Sequence, residues 1–406
     1  MKIRLLAASI IILAIFSGSC SNSEERIKRK AENIHRSVLT LDSHTDTPMM
    51  LGRKNYDIGK RNDARNRGGK IDFPRMKEGG LDAVFFAVFV GQGPRDEQGH
   101  EKAYQKAVNL FENIENALAQ HPDMAEPAVA ADEIMAIKNK GKSAVLIGVE
   151  NGYPIGNDLS IIKEFYDRGA RYITLAHTRN NDICDSSTDD EEHGGLSDFG
   201  KQVVHEMNRL GMMVDVSHIS DKSFYDVLEI TKVPVIASHS NARAVCDNPR
   251  NLTDEMLLAL RENGGVVQVC ILSSYVKDLP ENPEKESALK ELREKYNYFK
   301  DLSEEEMTKA GEEWYEIERK FPGQLATVSD LVDHIDHIVN LIGIDHVGIG
   351  TDFDGGGGLE DCFDVSEIGN ITLELVRRGY SKKDISKIWS ENFLRVFRAV
   401  QAGAEA

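Results

Sequence analysis

Apolar runs alternate with amphipathic stretches along the chain after residue 37. Eight runs are rich in β-branched residues and as short as strands, and they cover residues 38–46, 81–90, 143–150, 171–177, 212–218, 233–239, 265–272 and 346–352. Continuous rather than alternating apolar positions are typical of strands buried on both faces. The stretches between them carry apolar residues at helical spacing, as in 199–210 and 328–341. The pattern therefore predicts eight strand–helix units.

Eight such units are the repeat of an α/β protein with a TIM-type (β/α)8 barrel. A doubly wound open sheet has the same alternation, but it would not bring the ends of six strands to one point as a closed barrel does. One stretch departs from this rhythm, Lys277–Pro322, which is rich in Glu and Lys at helical spacing. It predicts a charged helical insertion between strands 7 and 8, over or beside the mouth of the barrel.

The first twenty residues have the pattern of an export signal. Basic residues precede the apolar run Leu5–Phe16, which is short for a bilayer span, and small residues follow up to Cys20. The segment resembles a bacterial lipoprotein signal, in which residues 1–19 are removed and Cys20 is lipidated. Ordinary cleavage that leaves Cys20 unmodified is the alternative. We expect an exported protein, lipid-anchored to a bacterial cell membrane, with a tether at 20–35 and a single barrel domain at 36–402.

Charge and cysteine spacing exclude several classes of function. The net charge is −18, so the chain is a poor candidate for binding nucleic acid, which needs a basic surface. Four cysteines remain apart from Cys20, and none of them has the Cys-x-x-Cys spacing of a zinc ribbon or a redox motif. Both a disulfide and buried free thiols stay open for these four, which are Cys184, Cys246, Cys270 and Cys362.

Polar side chains end six of the eight predicted strands. They are four histidines and three carboxylates: His44, Asp46, Glu150, His177, His218, His239 and Asp352. In a closed barrel the carboxyl ends of the strands meet at one mouth, where active sites lie. Buried polar groups need partners, and a metal ion supplies partners for all of them at once. Imidazole and carboxylate ligands together suit zinc.

The number of ligands favours two ions rather than one. His44 and Asp46 are two apart on a strand and point the same way, so they suit a first ion, while His218 and His239 suit a second. Glu150 has two oxygens and could bridge the ions. Two ions about 3.5–4 Å apart form a known catalytic arrangement that shares a hydroxide and polarises a carbonyl.

Six motifs give this pattern a family resemblance. In chain order they are DSHTDTP (42–48), GVENGYPIG (148–156), RYITLAHTRNND (171–182), GLSDFGKQVVHEMNRLGMMVDVSH (195–218), ASHSNARAVCDNPRN (237–251) and GIGTDFDG (348–355). With them the chain resembles the membrane (renal) dipeptidase family, whose members are zinc dipeptidases on an amidohydrolase-type barrel. The resemblance covers nearly all of the chain after residue 35.

The resemblance implies a role for each matching residue. It implies two zinc ions per chain held by five ligands, with Glu150 bridging; the other four are His44, Asp46, His218 and His239. His177 would bind substrate and stabilise the oxyanion, and Arg250 would hold the terminal carboxylate of the substrate. Asp352 would handle protons, and Tyr275 would contact substrate. Without the resemblance, Arg250 would be interpreted as a surface arginine in a loop.

We therefore expect a binuclear zinc enzyme that hydrolyses the amide bond of dipeptides by a metal-bridging hydroxide. The resemblance also implies tolerance of a C-terminal D-residue and a homodimer. Two alternatives stay open. One is another amidohydrolase that acts on a different small amide, although such enzymes often bridge their metals with a carboxylated lysine where this chain has Glu150. The other is a lipoprotein that binds peptides without turnover.

Overall fold

Eight parallel strands surround a common axis in the computed structural model, which describes residues 23–53, 55–297, 302 and 304–405. A ninth strand, β3, is a short addition that pairs only with β4. The strands are β1 (Leu41–Thr45), β2 (Ala83–Phe89), β3 (Ala125–Pro127), β4 (Ser143–Glu150), β5 (Ala170–Thr174), β6 (Met213–Asp215), β7 (Ile236–Ala237), β8 (Val266–Val269) and β9 (Val347–Ile349). They pair in the order β1-β2-β4-β5-β6-β7-β8-β9, which confirms the predicted (β/α)8 barrel.

The ring closes between β9 and β1 through the residues that follow β9. The backbone N–H of Asp352 donates to the carbonyl of His44 at 3.0 Å, and that of Asp46 donates to the carbonyl of Phe353 at 2.8 Å. Two predicted site residues, His44 on β1 and Asp46 just after it, are thus tied through their backbones to the residues that follow the last strand.

Helices cover the outside of the barrel. They are α1 (23–37), α2 (Pro48–Leu51), α3 (Phe73–Gly79), α4 (Glu97–Gln120), α5 (Ala131–Asn139), α6 (Ser160–Asp167), α7 (Asp198–Leu210), α8 (Asp221–Ile230), α9 (Asp254–Asn263), α10 (Ser273–Val276), α11 (Pro283–Lys295), α12 (Glu304–Lys320), α13 (Val328–Ile342), α14 (Gly369–Arg377), α15 (Lys382–Ser386) and α16 (Asn392–Ala402). Residues 387–391 continue α15 as a π-helix into α16.

Local sequence sets the ends of several of these helices. Ser197 and Thr253 cap α7 and α9 by accepting a hydrogen bond from a backbone N–H of the first turn. Gly211 and Gly264 end the same two helices with φ of 75° and 80°, a left-handed conformation that costs glycine little. These caps fix where each helix returns the chain to the next strand.

The strands place alternate side chains in two apolar clusters. On β2, Val84 and Phe86 belong to the large cluster beneath the outer helices. Phe85 belongs to a second cluster that holds the first residues of several strands, and Phe393 of α16 packs edge-on against it at 5.2 Å between ring centroids. Helix α16 therefore covers the amino-terminal end of the barrel, opposite the polar strand ends.

Two helices, α11 and α12, lie in the charged stretch between β8 and β9. Leu292, Tyr296 and Ala310 form a small buried cluster between them. The hydroxyl of Tyr315 donates to the carbonyl of Arg65 at 2.6 Å, which links α12 to the loop that follows β1.

The amino-terminal segment differs from the expected tether, because residues 23–37 form helix α1. Ala31, Ile34 and His35 are buried at spacings of three and four, so one narrow stripe of an otherwise charged helix packs on the barrel. Cys20 and the predicted signal at 1–19 lie outside the described residues.

The other four cysteines are free and buried, so of the two alternatives the structure favours thiols over a disulfide. In the part of the chain that the structure describes, no helix combines the length and the apolar character that crossing a bilayer requires.

Candidate active site

All seven polar residues predicted at the strand ends come together at the carboxyl end of the barrel. Their ligand atoms form three overlapping groups, each within 4.8 Å: His44, Glu150 and His239; Glu150, His177 and His218; His44, Asp46 and Asp352. The groups share members, so the residues form one continuous cluster rather than separate sites.

Glu150, the last residue of β4, lies at the centre of this cluster. Its Oε1 is 3.1 Å from His218 Nε2, 3.5 Å from His239 Nε2 and 3.7 Å from His177 Nε2. Its Oε2 faces the other way, 3.5 Å from His44 Nε2. The two oxygens of one carboxylate therefore serve two different sets of histidines.

Several buried ligand atoms have no hydrogen-bond partner among the described residues. They are His44 Nε2, Asp46 Oδ1, Glu150 Oε2 and His218 Nδ1. Leaving such groups unpaired in the interior is costly, at about 1–3 kcal/mol each. Imidazole nitrogens and carboxylate oxygens are also the donor set that zinc prefers. The residues present thus fit a metal centre.

Burial disfavours charge throughout the cluster. Burial raises the pKa of Glu150 to about 8 and, with a further contribution from the charge of Glu150, raises the pKa of Asp352 to about 7. Burial, together with repulsion from Arg250, holds the pKa values of His218 and His239 well below their usual range. Neutral imidazoles keep a lone pair for a metal, and a cation would compensate the buried carboxylates.

His177 is the part of the cluster that faces the mouth. Its side chain is 22% exposed, whereas that of Glu150 is 3% exposed. Its ring packs edge-on against Phe89, the last residue of β2, at 4.7 Å between centroids. Burial and then Arg250 lower the pKa of His177 to about 3, so the imidazole is neutral and keeps one N–H to donate.

Arg250 lies beside the cluster and is not the surface residue that the sequence alone would favour. It is only 3% exposed, and its guanidinium donates to the carbonyl of His239 at 2.9 Å and to Ser240 Oγ at 3.2 Å. Its Cζ lies 5.3 Å from the centroid of the Tyr275 ring. Among the described residues it makes no ion pair, and its Nε has no partner.

The backbone is unusual where three strands deliver their ligands. Asn151, His218 and Asp352 have φ of 75°, 70° and 59°, a region that non-glycine residues seldom occupy. Such conformations persist only where surrounding contacts hold them, and they concentrate at functional sites. They turn the chain sharply after β4, β6 and β9.

Sequence reasoning missed two buried carboxylates below the cluster. Asp42 accepts from the backbone N–H of His44 at 3.2 Å and of Thr351 at 2.8 Å, and Asp215 accepts from the backbone N–H of Ser238 at 2.8 Å. Both are acids inside an apolar run, two or three residues before a histidine ligand. That position in the run was the signal available in the sequence.

Comparison with known proteins identifies the family that carries this cluster. A family model described as membrane dipeptidase (peptidase family M19) matches residues 28–406. The chain belongs to this family. Dipeptidase tcpJ of Claviceps purpurea is 31% identical over 405 residues, covering 98% of this chain and 84% of that protein. Dipeptidase 3 of Homo sapiens is 31% identical, covering 92% of this chain and 68% of that protein.

A solved structure agrees with the family assignment. The probable dipeptidase PvdM from Pseudomonas aeruginosa has a TM-score of 0.79 and 31% identity, covering 94% of this chain and all of that one. The present chain, as a member of the M19 family, is a metallo-dipeptidase, a hydrolase that cleaves the peptide bond of dipeptides. Family membership also implies a zinc cofactor, in agreement with the donor set of the cluster.

Proposed function

We propose that the cluster holds two zinc ions and hydrolyses dipeptides that have a free carboxylate. The observation that carries this proposal is the orientation of Glu150, whose two oxygens face different histidines. His44 and Asp46 would hold the first ion, and His218 and His239 the second, with Glu150 shared between them. When bound, the zinc would activate water and polarise the scissile carbonyl.

Two residues of the chain would carry the proton and charge changes. Asp352 takes a proton from the attacking water and delivers it to the leaving amine, a role suited by a carboxyl whose pKa burial raises to about 7. His177 is neutral and lies at the mouth, so its remaining N–H can donate to the developing oxyanion. One such donor is worth about 10²–10³ in rate.

Arg250 and Tyr275 would bind the carboxylate end of the substrate. The guanidinium is buried and pairs with no carboxylate of the described residues, so it can bind one from the substrate, and its planar fork matches two carboxylate oxygens. Tyr275 would contact substrate from beside that guanidinium. Recognition of the free carboxylate would direct cleavage to the peptide bond next to the C-terminal residue, and we propose that a C-terminal D-residue is tolerated, as the family resemblance implies.

Metal counting combined with turnover tests the proposal. The purified full chain is analysed for metals and assayed on matched L-L and L-D dipeptides before and after chelation. We expect nearly two zinc per chain, cleavage lost with the chelator and regained with zinc. One zinc per chain at full activity would overturn the binuclear site, and cleavage confined to L-L pairs would overturn the D-residue proposal.

Location and assembly form a separate proposal. We infer from the signal pattern that Cys20 carries lipid and anchors the enzyme to a bacterial cell membrane after export, and from the family resemblance that the enzyme is a homodimer. Sedimentation of the detergent-solubilised protein would give the mass of the particle. A monomer at all concentrations would exclude the dimer.

A further inference from the structure

A hydroxyl group lies behind each of two proposed zinc ligands. Ser238 Oγ is 2.8 Å from His239 Nδ1 and also 2.6 Å from Asp215 Oδ2. Tyr172 Oη is 2.8 Å from His44 Nδ1. In both histidines Nδ1 faces the hydroxyl, and Nε2 faces Glu150. The direction of these hydrogen bonds decides which imidazole nitrogen keeps a lone pair.

Asp215 accepts hydrogen bonds from every partner it contacts. The backbone N–H groups of Ser217 and Ser238 donate to its Oδ1 at 3.0 and 2.8 Å. The hydroxyls of Ser238 and Thr174 both donate to its Oδ2. Four donors fill the four lone-pair positions of an ionised carboxylate. Asp215 therefore takes the single hydroxyl hydrogen of Ser238.

The direction at His239 follows from that single hydrogen. Because the hydroxyl hydrogen of Ser238 goes to Asp215, Ser238 Oγ can only accept from His239. Nδ1 of His239 must then carry the ring proton, which leaves the lone pair on Nε2. That nitrogen is 3.5 Å from Glu150 Oε1, on the side of the proposed zinc.

The same reasoning applies to His44. The hydroxyl of Tyr172 donates to the carbonyl of Ser43 at 3.2 Å, since a carbonyl can only accept. Tyr172 Oη therefore accepts from His44 Nδ1–H, and Nε2 of His44 keeps its lone pair. Gly148 makes room for this tyrosine, because a Cβ there would lie 2.0 Å from the ring carbon Cζ.

We propose that Asp215, acting through Ser238, and Tyr172 are positioning residues that hold His239 and His44 in the Nδ1–H form and so set the affinity for zinc. The inference rests on the proposed zinc ligation. Partners behind metal-bound histidines typically change metal affinity by about 10–100-fold when they are removed. Asp215 acts on His239 through the single hydroxyl of Ser238, so reversing the direction of these hydrogen bonds tests the proposal.

Asp215→Asn reverses the chain of hydrogen bonds with almost no change of shape. The backbone N–H groups of Ser217 and Ser238 keep the amide oxygen at the Oδ1 position, so the amide NH₂ faces Ser238 Oγ. The amide then donates to Ser238, and the hydroxyl of Ser238 turns its hydrogen to His239 Nδ1. The ring proton moves to Nε2 and blocks the lone pair. We expect zinc affinity to fall by about 10–100-fold.

Ser238→Ala and the double variant separate this relay from a loss of charge or of folding. Ser238→Ala alone frees His239 Nδ1 and should weaken zinc binding less than Asp215→Asn does. In the double variant the reversed amide has no hydroxyl through which to act. The relay therefore predicts that zinc affinity in the double variant returns to the Ser238→Ala level.

Zinc affinity by chelator competition and ¹⁵N spectra of histidine-labelled metal-free protein are the two measurements. The expected spectra show His239 Nδ1 protonated in the full wild-type chain and Nε2 protonated in Asp215→Asn, with the His239 signals assigned through His239→Gln. Tyr172→Phe gives an independent measurement at His44 and is expected to lower zinc affinity by about tenfold.

The outcomes distinguish this inference from the proposed function. A double variant as weak as Asp215→Asn, or an unchanged ring tautomer in Asp215→Asn, would overturn the relay even if the wild type binds zinc. Unchanged zinc affinity in Tyr172→Phe would overturn the role of Tyr172. A wild type that binds no zinc would overturn the proposed zinc site itself, whatever the spectra show.

Discussion

Arg250 is a buried cation that has no carboxylate within ion-pair distance among the residues that the structure describes. Its contacts in the described residues are a carbonyl, a hydroxyl and the face of Tyr275, none of which neutralises its charge. Taking an unpaired charge out of water is costly, so a site that keeps one gains when a ligand brings the opposite charge. A dipeptide with a free carboxylate is such a ligand.

Arg250→Gln tests this role. Hydrogen bonds to charged groups contribute about 1.5–3 kcal/mol, which corresponds to about a 10–150-fold loss of kcat/KM. We expect that loss of kcat/KM on dipeptides with a free carboxylate. On the same dipeptides with a C-terminal amide, which are poor substrates of both the wild type and Arg250→Gln, we expect almost no further loss. Steady-state kinetics on matched pairs measure the difference.

Arg209→Gln is the matched control for Arg250→Gln. Arg209 is exposed on α7, makes a two-pronged pair with Glu206, at 2.8 and 2.7 Å, and takes no part in the cluster. Its substitution should leave kcat/KM nearly unchanged. An equal loss on free and amidated dipeptides in Arg250→Gln would contradict carboxylate recognition.

Gly355 lets two carboxylates of the site approach the backbone. A Cβ at this position would lie 2.0 Å from Asp46 Oδ2 and 2.2 Å from Asp352 Oδ1, so Gly355→Ala must displace at least one of them. A misplacement of about 1 Å at a catalytic centre can cost about 10²-fold in rate, and we expect a loss of that order together with weaker zinc binding. Activity and bound zinc are measured on the same sample.

Gly311→Ala is the control for the change of residue type. Gly311 lies on α12, and a Cβ there would meet no atom of the described residues within 4 Å. This variant should keep both activity and zinc. If Gly355→Ala also kept both, the close approach of the two carboxylates would not matter for the site.

Helix α1 is joined to the barrel by a buried histidine. His35 Nε2 is 2.8 Å from the carbonyl of Gly79, and its Nδ1 is 2.7 Å from Thr372 Oγ1, which also accepts from Trp389 Nε1. Burial lowers the pKa of His35. On acidification the unfolded chain therefore takes up a proton at this residue before the folded protein does.

His35→Gln tests this contribution to stability. At pH 7.5 we expect the free energy of unfolding to fall by about 1–3 kcal/mol, because buried hydrogen bonds are lost. Below the unfolded pKa of about 6.5, the wild type loses stability at this residue and the variant does not. The difference in the free energy of unfolding between the wild type and His35→Gln should therefore be smaller at pH 5.5 than at pH 7.5, as measured by urea titration.

His205→Gln is the control, since His205 is exposed on α7. It should leave the free energy of unfolding at pH 7.5 unchanged. A gap between wild type and His35→Gln that widens on acidification would show that His35 is protonated in the folded protein.

At the scale of elements, the sequence predicted what lies in long apolar runs and missed what does not. All eight barrel strands coincide with such runs. Strand β3 was missed because it has only three residues and because the fold, rather than its own sequence, sets its pairing with β4. Helix α1 was missed because its buried stripe is narrow and its other positions are charged. The charged residues on the exposed face of α1 gave no sign of a packed helix. The packing of Ala31 and Ile34 on the barrel stabilises the helix.

For the molecule as a whole, barrel closure explains why the site residues were predictable. Each is the polar end of an apolar run, and closure brings those ends together. The contacts of Asp42 and Asp215 with the site were not predicted, because strands buried on both faces show no alternation of polar and apolar residues that would tell which side chains point inward. The burial of Arg250 escaped for a related reason, since a loop after β7 has no periodicity from which burial can be inferred.

We propose that the position of the enzyme in the cell depends on Cys20, which lies outside the described residues. If it carries the lipid, Cys20→Ser should move the protein from the membrane pellet to the soluble fraction of a bacterial host. Specific activity should stay within about twofold, because Cys20 is not among the residues proposed to bind metal or substrate. Incorporation of labelled fatty acid, measured on the full chain and absent from Cys20→Ser, would separate lipidation from adsorption. Ser21→Ala, next to the modified position, should keep both the label and the membrane fraction.

A wild-type chain that takes up no label would instead favour ordinary cleavage with Cys20 unmodified. A labelled Cys20→Ser would show that the lipid is attached elsewhere in the chain, and since the other four cysteines are buried, attachment there would require local unfolding.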